Sequence, residues 1–135
     1  MRRAVPALIL LTLFFAADAS AAPPPPYGFA FGRLGGNIRP YTVRIANTGV
    51  VKVEGPARVG RNLLAPAVIG GLNLKAVEVA FARLPRARSC ARALPDVAYT
   101  FIRVGAQTVR VRGTCVPQYT RLWNALVHAV RLDLS

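Results

Sequence analysis

The chain has 135 residues, and its 18 Lys and Arg against 5 Asp and Glu give a formal net charge of +13. Because 53% of the residues are hydrophobic, the composition excludes a disordered tail, and the length excludes a multidomain enzyme. One His and two Cys leave few groups for catalysis and too few ligands for a closed metal site. We therefore expect one small domain that is not an enzyme and holds no metal or cofactor.

The first 21 residues have the three-part pattern of a secretory signal peptide. A positive head at Arg2 and Arg3 precedes an apolar run over residues 4–17, and small residues lead to an expected cleavage site after Ala21. The run is shorter than the about 20 apolar residues that cross a bilayer. This pattern predicts a secreted, extracytoplasmic protein with no transmembrane segment after cleavage; an uncleaved N-terminal anchor and twin-arginine export are the alternatives.

A stretch rich in Pro and Gly follows the predicted signal peptide. Pro23–Pro26 predicts an extended polyproline II spacer, and the glycines after it show no sustained hydrophobic period. We interpret residues 22–39 as a tether, with at most a loose edge strand at residues 27–31. The single folded domain is therefore expected to cover residues 40–135.

Two segments of this domain have the pattern of β-hairpins. Apolar residues alternate over Tyr41–Ile45, and a turn at Asn47–Gly49 leads to a second apolar run at Val50–Val53. The second hairpin covers Val97–Val104 and Thr108–Cys115. In its last strand valines alternate with arginines, so this hairpin is expected to have one apolar and one cationic face.

Two further segments have helical spacing. The first begins near Pro66 and ends near Phe81, although two adjacent glycines weaken it by about 1 kcal/mol each and its second half also fits a strand. The second, Gln118–Leu132, repeats apolar residues at intervals of three and four. The order ββαββα predicts an α+β fold, a two-layer sandwich in which a four-stranded antiparallel sheet carries both helices on one face.

Cys90 and Cys115 are the only cysteines, and export favours a disulfide between them. The bond would close a loop of 24 intervening residues and stabilise the domain by roughly 3 kcal/mol. It would also tie the irregular segment 86–95 to the end of the fourth predicted strand. A redox-active pair is the alternative, but the Cys-x-x-Cys spacing is absent.

Arginines concentrate around this disulfide. Four lie near Cys90 and three on the second hairpin, and we expect the bond to draw them together as candidate anion-binding residues: Arg83, Arg86, Arg88, Arg92, Arg103, Arg110 and Arg112. Removal of residues 1–21 leaves 16 basic and 4 acidic side chains, a net charge of +12. Such a surface attracts polyanions with a salt-dependent affinity. The alternative is a solvated basic surface that arose from compositional drift.

Catalytic and nucleic-acid motifs are missing from the sequence. His128 lies on the polar face of the last predicted helix, and neither Thr120 nor Asp133 is placed by a motif to make it a general base. No phosphate-binding glycine pattern, recognition helix or aromatic stacking platform is present. We therefore expect no catalytic residue and no sequence-specific nucleic-acid partner.

These observations predict a non-catalytic exported binding or interaction module. Its expected partner is an anionic polymer of the cell envelope or a secreted protein. The alternatives are an inhibitor of a secreted hydrolase and a membrane-active defence protein.

From Pro40 onward the sequence also resembles a family of uncharacterised, exported bacterial domains. The residues that carry the resemblance are Pro40–Ile45, Asn47–Val51, Glu54–Gly55, the helix ending near Phe81, Leu94–Asp96 and Val109–Gly113. The resemblance covers roughly residues 40–130. It implies export and this fold, and because the family has no known function it implies no activity.

Overall fold

A computed structural model describes residues 28–90, 92 and 96–135, so the predicted signal peptide lies outside the described residues. Within these ranges six strands form one mixed sheet: β1 (Phe29–Leu34), β2 (Tyr41–Ile45), β3 (Val51–Glu54), β5 (Ala87–Ser89), β6 (Tyr99–Val104) and β7 (Gln107–Arg112). Their order across the sheet is β3-β2-β1-β6-β7-β5. The α+β class is confirmed, whereas the predicted four-stranded antiparallel sheet and the order ββαββα are wrong.

Strand β1 is the largest departure from the sequence interpretation, which placed it in a tether with at most a loose edge strand at residues 27–31. It pairs antiparallel with β2 on one side and with β6 on the other, and so joins the two predicted hairpins into one sheet. A Cβ atom at Gly32 would lie 2.0 Å from the Tyr41 carbonyl oxygen, so the close approach of β1 and β2 requires glycine here. The glycines that suggested a loop therefore belong partly to a central strand. Residues 22–27 lie outside the described residues.

Strand β5 and the disulfide hold the far edge of the sheet. Ala87–Ser89, which we expected to be irregular, pairs parallel with β7. The Cys90 N–H then donates a hydrogen bond of 2.9 Å to the Arg112 carbonyl. The predicted disulfide between Cys90 and Cys115 is confirmed, with 5.7 Å between the two Cα atoms.

Both predicted helices are confirmed. Helix α1 (Pro66–Glu78) is followed by a short 3₁₀ turn at Phe81–Arg83, so the alternative strand assignment for its second half is wrong. Helix α2 (Pro117–Val130) ends at Arg131, whose φ of 52° lies in the left-handed region. Neither described helix combines the length and apolar character needed to cross a membrane.

Two short strands, β4 (Arg58–Val59) and β8 (Leu132–Asp133), pair antiparallel outside the main sheet. They connect the segment before α1 to the segment that follows α2.

The hydrophobic core lies between the helices and one face of the sheet. Leu122 and Leu126 of α2 are completely buried there, as are Phe31 and Ile102 of the central strands. The Trp123 ring meets the Phe31 ring edge-on, with 5.4 Å between the ring centroids. Because α1 also contributes buried residues to this cluster, the two helices share one face of the sheet.

Candidate functional site

The opposite face of the sheet is not part of this helix-covered core, and we term it the open face. Successive strand residues point to opposite faces. On β1, Phe29 and Phe31 enter the core, so Ala30, Gly32 and Leu34 belong to the open face. The centre of the open face therefore carries two very small residues.

The strand register aligns a row of cations across the open face. Ala30 lies opposite Arg44 of β2 on one side and Arg103 of β6 on the other. Arg44 in turn lies opposite Lys52 of β3. Neighbouring strands are about 4.8 Å apart, so this row extends over roughly 14 Å from β3 to β6. The sheet thus presents three cations in a line that is interrupted only by the Ala30 methyl group.

A second row of side chains on this face lies two residues away along each strand. Gly32 is opposite Phe101 of β6, and Phe101 is opposite Arg110 of β7. The Phe101 ring is only 9% exposed, although it is not part of the helix-covered core cluster of the described residues. Arg110 itself is exposed. The second row therefore adds an apolar surface and one more guanidinium group to the cation row.

The two rows enclose a cavity of about 210 Å³, which we term the open-face cavity. Its lining combines small or apolar residues with hydroxyl and guanidinium groups: Ala30, Leu34, Thr42, Arg44, Phe101, Arg103, Thr108 and Arg110. No lining residue is acidic. Chemically, this arrangement offers several hydrogen-bond donors to an anion above an apolar floor.

The arginines of the open face differ in how they are paired. Arg44 forms an ion pair with Glu54, the acidic residue of β3. Arg103 donates from Nε to the Gly105 carbonyl oxygen at 2.9 Å, and no described carboxylate pairs with Arg103 or Arg110. Among the three arginines that line the cavity, the two without a described carboxylate partner therefore lie on β6 and β7.

Arg112 also lies on the open face, because it belongs to the same side of β7 as Arg110. Its guanidinium carbon lies 4.0 Å from the centroid of the Tyr99 ring. Such a cation–π contact contributes about 0.5–1 kcal/mol at an exposed site. Arg112 thus extends the cationic surface while it packs on an aromatic ring.

The seven arginines predicted as an anion-binding set do not lie together. Arg103, Arg110 and Arg112 share the open face, and for Arg110 and Arg112 the alternation in the last strand of the second hairpin indicated this. Arg88 pairs in register with Val111, whose side chain is in the core, so Arg88 lies on the helix side of the sheet edge. Its neighbour Arg86 precedes β5 by one residue and lines a different groove.

The remaining two predicted arginines are also exposed, and neither lines the open-face cavity. Arg83 is in the 3₁₀ turn and lines a groove beside the end of α1, and Arg92 is in the loop after Cys90. Sequence reasoning missed Arg44. Its position on the polar side of the first predicted strand was the available signal, but only the central placement of β1 brings it opposite Ala30 and near Arg103.

The residues weighed for catalysis have other contacts. His128 is exposed in the last turn of α2. The Thr120 hydroxyl donates to the Val116 carbonyl at 3.2 Å. The Asp133 carboxylate accepts from the Ser135 N–H at 2.9 Å, and this hydrogen bond lowers the pKa of Asp133. Within the described ranges, no cluster of three His, Cys, Asp or Glu residues could hold a metal ion.

The chain matches no protein-family model, and no curated protein or solved structure matches it. The resemblance to uncharacterised exported domains therefore stays a prediction. Any functional proposal depends on the geometry of the sheet and of its two faces.

Proposed function

We propose that this protein is a non-catalytic binding module that holds a linear anionic polymer across the open face of its sheet. The observation that supports this proposal is the convergence of Arg44, Arg103 and Arg110 on the open-face cavity. Two of these guanidinium groups have no carboxylate partner among the described residues.

The arrangement of charges favours a polymer over a single small anion. Lys52, Arg44 and Arg103 form a row that crosses four strands, and Arg110 lies beside this row. A line of cations roughly 14 Å long can contact successive charges of one extended chain. The net charge of +12 after the predicted cleavage would strengthen the attraction at a distance.

The expected export of the protein defines the class of polymer. Outside the cytosol, phosphate-linked and carboxylate-bearing polymers of the cell envelope have the required charge. The apolar floor at Ala30 and Phe101 would contact the backbone carbons of such a polymer. No described feature favours the alternative of a hydrolase inhibitor, which stays a prediction.

The proposal is tested with inorganic polyphosphate and polygalacturonate as probes, in binding titrations at several salt concentrations. Replacing Arg103 and Arg110 together by Ala should weaken binding about 10-fold or more. It should also reduce the dependence of log K on log salt by about two, because two fewer counterions are displaced.

Two matched double variants distinguish binding at the open face from attraction by net charge alone. Arg58→Ala with Arg121→Ala removes the same charge far from the open face, and Arg86→Ala with Arg88→Ala removes it from the helix side of the edge. We expect both pairs to retain most of the affinity. Equal weakening by all three pairs, or no saturable binding of either polymer at 150 mM salt, would contradict the proposal.

A further inference from the structure

A second cavity lies between the loop that joins β1 to β2 and the C-terminal residues after β8. Its volume is about 220 Å³. Arg33, Arg39 and Tyr41 form its polar side, and the apolar side includes Ile38, Ala57 and Leu134. It shares no lining residue with the open-face cavity. We term it the loop cavity.

Two of its polar residues have buried atoms that make no hydrogen bond of normal geometry. Neither the Tyr41 hydroxyl nor Arg33 Nε has such a partner among the described residues, although the Arg33 side chain lies close enough to the hydroxyl to interact with it. Tyr41 is only 3% exposed, so water outside the protein does not reach most of its side chain. Leaving a buried hydroxyl unpaired costs about 1–3 kcal/mol, which makes such a group an indicator of a missing partner.

Strand pairing places these two residues side by side. Arg33 of β1 and Tyr41 of β2 are partners in the register. Burial raises the pKa of Tyr41, and the positive charge of Arg33, together with hydrogen bonding by its side chain, partly opposes this rise. The hydroxyl therefore stays protonated at neutral pH and can donate a hydrogen bond. Arg33 Nε can only donate, whereas the Tyr41 hydroxyl can donate as well as accept, so one acceptor with negative charge can pair with both groups.

We propose that the loop cavity binds a small aliphatic carboxylate through Arg33, Arg39 and Tyr41. A guanidinium group presents two parallel N–H donors to a carboxylate, and a tyrosine hydroxyl adds a third. Ile38, Ala57 and Leu134 provide an apolar wall for a short hydrocarbon group. The volume corresponds to about seven water molecules, which suits an acid of four or five carbons.

This proposal does not depend on the binding of a polymer to the open face. The two sites use different arginines, and the carboxylate site carries apolar residues that a bare inorganic anion would not contact. Isovalerate, acetate and inorganic phosphate therefore form a suitable series of probes. Isovalerate has both the carboxylate and a branched hydrocarbon group. Acetate has the carboxylate with a single methyl group, and phosphate has no hydrocarbon group.

The test is a titration of the full chain, freed of its predicted signal peptide, followed by amide chemical shifts in nuclear magnetic resonance spectra. Isovalerate should shift the amides of Arg33, Ala57 and Leu134 in a saturable way. It should bind about 10-fold or more tightly than acetate or phosphate. Tyr41→Phe should weaken isovalerate binding about 10-fold, and Arg39→Gln should weaken it as well.

Folding and binding can be separated in this experiment. Because the Tyr41 hydroxyl makes no hydrogen bond of normal geometry with a described residue, Tyr41→Phe should leave the stability of the unliganded protein nearly unchanged. Arg39 is exposed, so Arg39→Gln should fold normally. The open-face double variant Arg103→Ala with Arg110→Ala should bind isovalerate unchanged, which keeps this result independent of the polymer proposal.

Three outcomes would overturn the proposal. The first is the absence of saturable shifts with isovalerate. The second is phosphate binding as tight as that of isovalerate, which would indicate an inorganic oxyanion site. The third is unchanged isovalerate affinity in both Tyr41→Phe and Arg39→Gln.

Discussion

The two faces of the main sheet use the same strands but have opposite chemical character. On the helix side, Phe31, Ile102 and Val109 are almost completely buried and pack with both helices. On the open face, the neighbouring positions carry Ala30, Arg103 and Thr108. Because side chains alternate along each strand, one half of these residues determines the fold. The other half has few packing constraints and can be shaped for binding.

The largest contrast between the faces is expected for two phenylalanines on adjacent strands. Phe31→Ala should cost about 3–5 kcal/mol of unfolding free energy, since it removes a ring from the closed core. Phe101→Ala on the open face should cost less, roughly 1–2 kcal/mol, because that ring lies outside the helix-covered core cluster of the described residues. Urea denaturation of both variants measures the difference. Equal costs would show that the open face is packed as a second core.

The disulfide should have the next largest effect. Replacing both Cys90 and Cys115 by Ala should reduce the unfolding free energy by about 3 kcal/mol, since it frees a long loop in the unfolded chain. Loss of protection from amide hydrogen exchange should be concentrated in β5, the strand that this bond holds at the sheet edge. A variant with unchanged stability and unchanged exchange in β5 would show that the strand pairing alone fixes this edge.

Substitutions at two glycines compare a position where the backbone of a neighbouring strand leaves no room for a side chain with a position where space is open. Gly32→Ala should destabilise the protein by roughly 1–3 kcal/mol, because the new methyl group would collide with the Tyr41 backbone. Gly70→Ala in α1 should stabilise it by about 1 kcal/mol, because no atom outside that part of the helix lies within 4 Å of the new Cβ. Thermal unfolding of the two variants tests the opposite signs. A stable Gly32→Ala protein would contradict the central position of β1.

Alkaline pH should destabilise the protein through a buried tyrosine on the helix-covered side of the sheet. Burial between α2 and the sheet raises the pKa of Tyr119 above its ordinary value of 10.0, although a hydrogen bond with the Thr100 hydroxyl opposes this rise. The unfolded chain therefore releases the proton before the folded chain does. Well below pH 10 both states keep this proton, and its contribution to the unfolding free energy is fully present. Above pH 10 the unfolding free energy decreases as the pH rises towards the pKa of the folded state.

Urea midpoints at pH 8 and pH 11 measure this loss. Tyr119→Phe should reduce the pH dependence without removing it, because Tyr41 also has a raised pKa. An identical decline in the wild type and in Tyr119→Phe would contradict the assignment to Tyr119.

The smallest effect on stability is expected for the arginines of the open face. Arg103→Ala and Arg110→Ala should each change the unfolding free energy by less than about 0.5 kcal/mol, because both side chains are exposed and have no carboxylate partner among the described residues. A cost above 1 kcal/mol in urea denaturation would mean that these arginines maintain the fold.

Local patterns in the sequence predicted the parts of the fold that depend on local periodicity. The alternation in Tyr41–Ile45, the helical spacing in α1 and α2, and the pairing of two cysteines in an exported chain all indicated the observed elements. For β1 the sequence indicated at most a loose edge strand and not a central one, because Gly32 resembles a loop residue until the close approach of Tyr41 is known. Strand β5 was missed because three exposed residues carry no periodic signal.

The candidate site could be predicted only in part for the same reason. Alternation in the second hairpin placed Arg110 and Arg112 on one face. The position of Arg44 relative to Arg103 depends on the sheet order, which is set by contacts between residues far apart in sequence. The loop cavity likewise depends on the meeting of Arg33, Tyr41 and Leu134, which no local pattern encodes.

The most direct test of a functional open face is to observe the arginine Nε–Hε resonances during a titration with inorganic polyphosphate. Our account predicts saturable shifts for Arg44, Arg103 and Arg110, and much smaller ones for Arg58 and Arg121. Equal shifts at all these arginines would indicate attraction by net charge alone and would contradict the assignment of binding to this face.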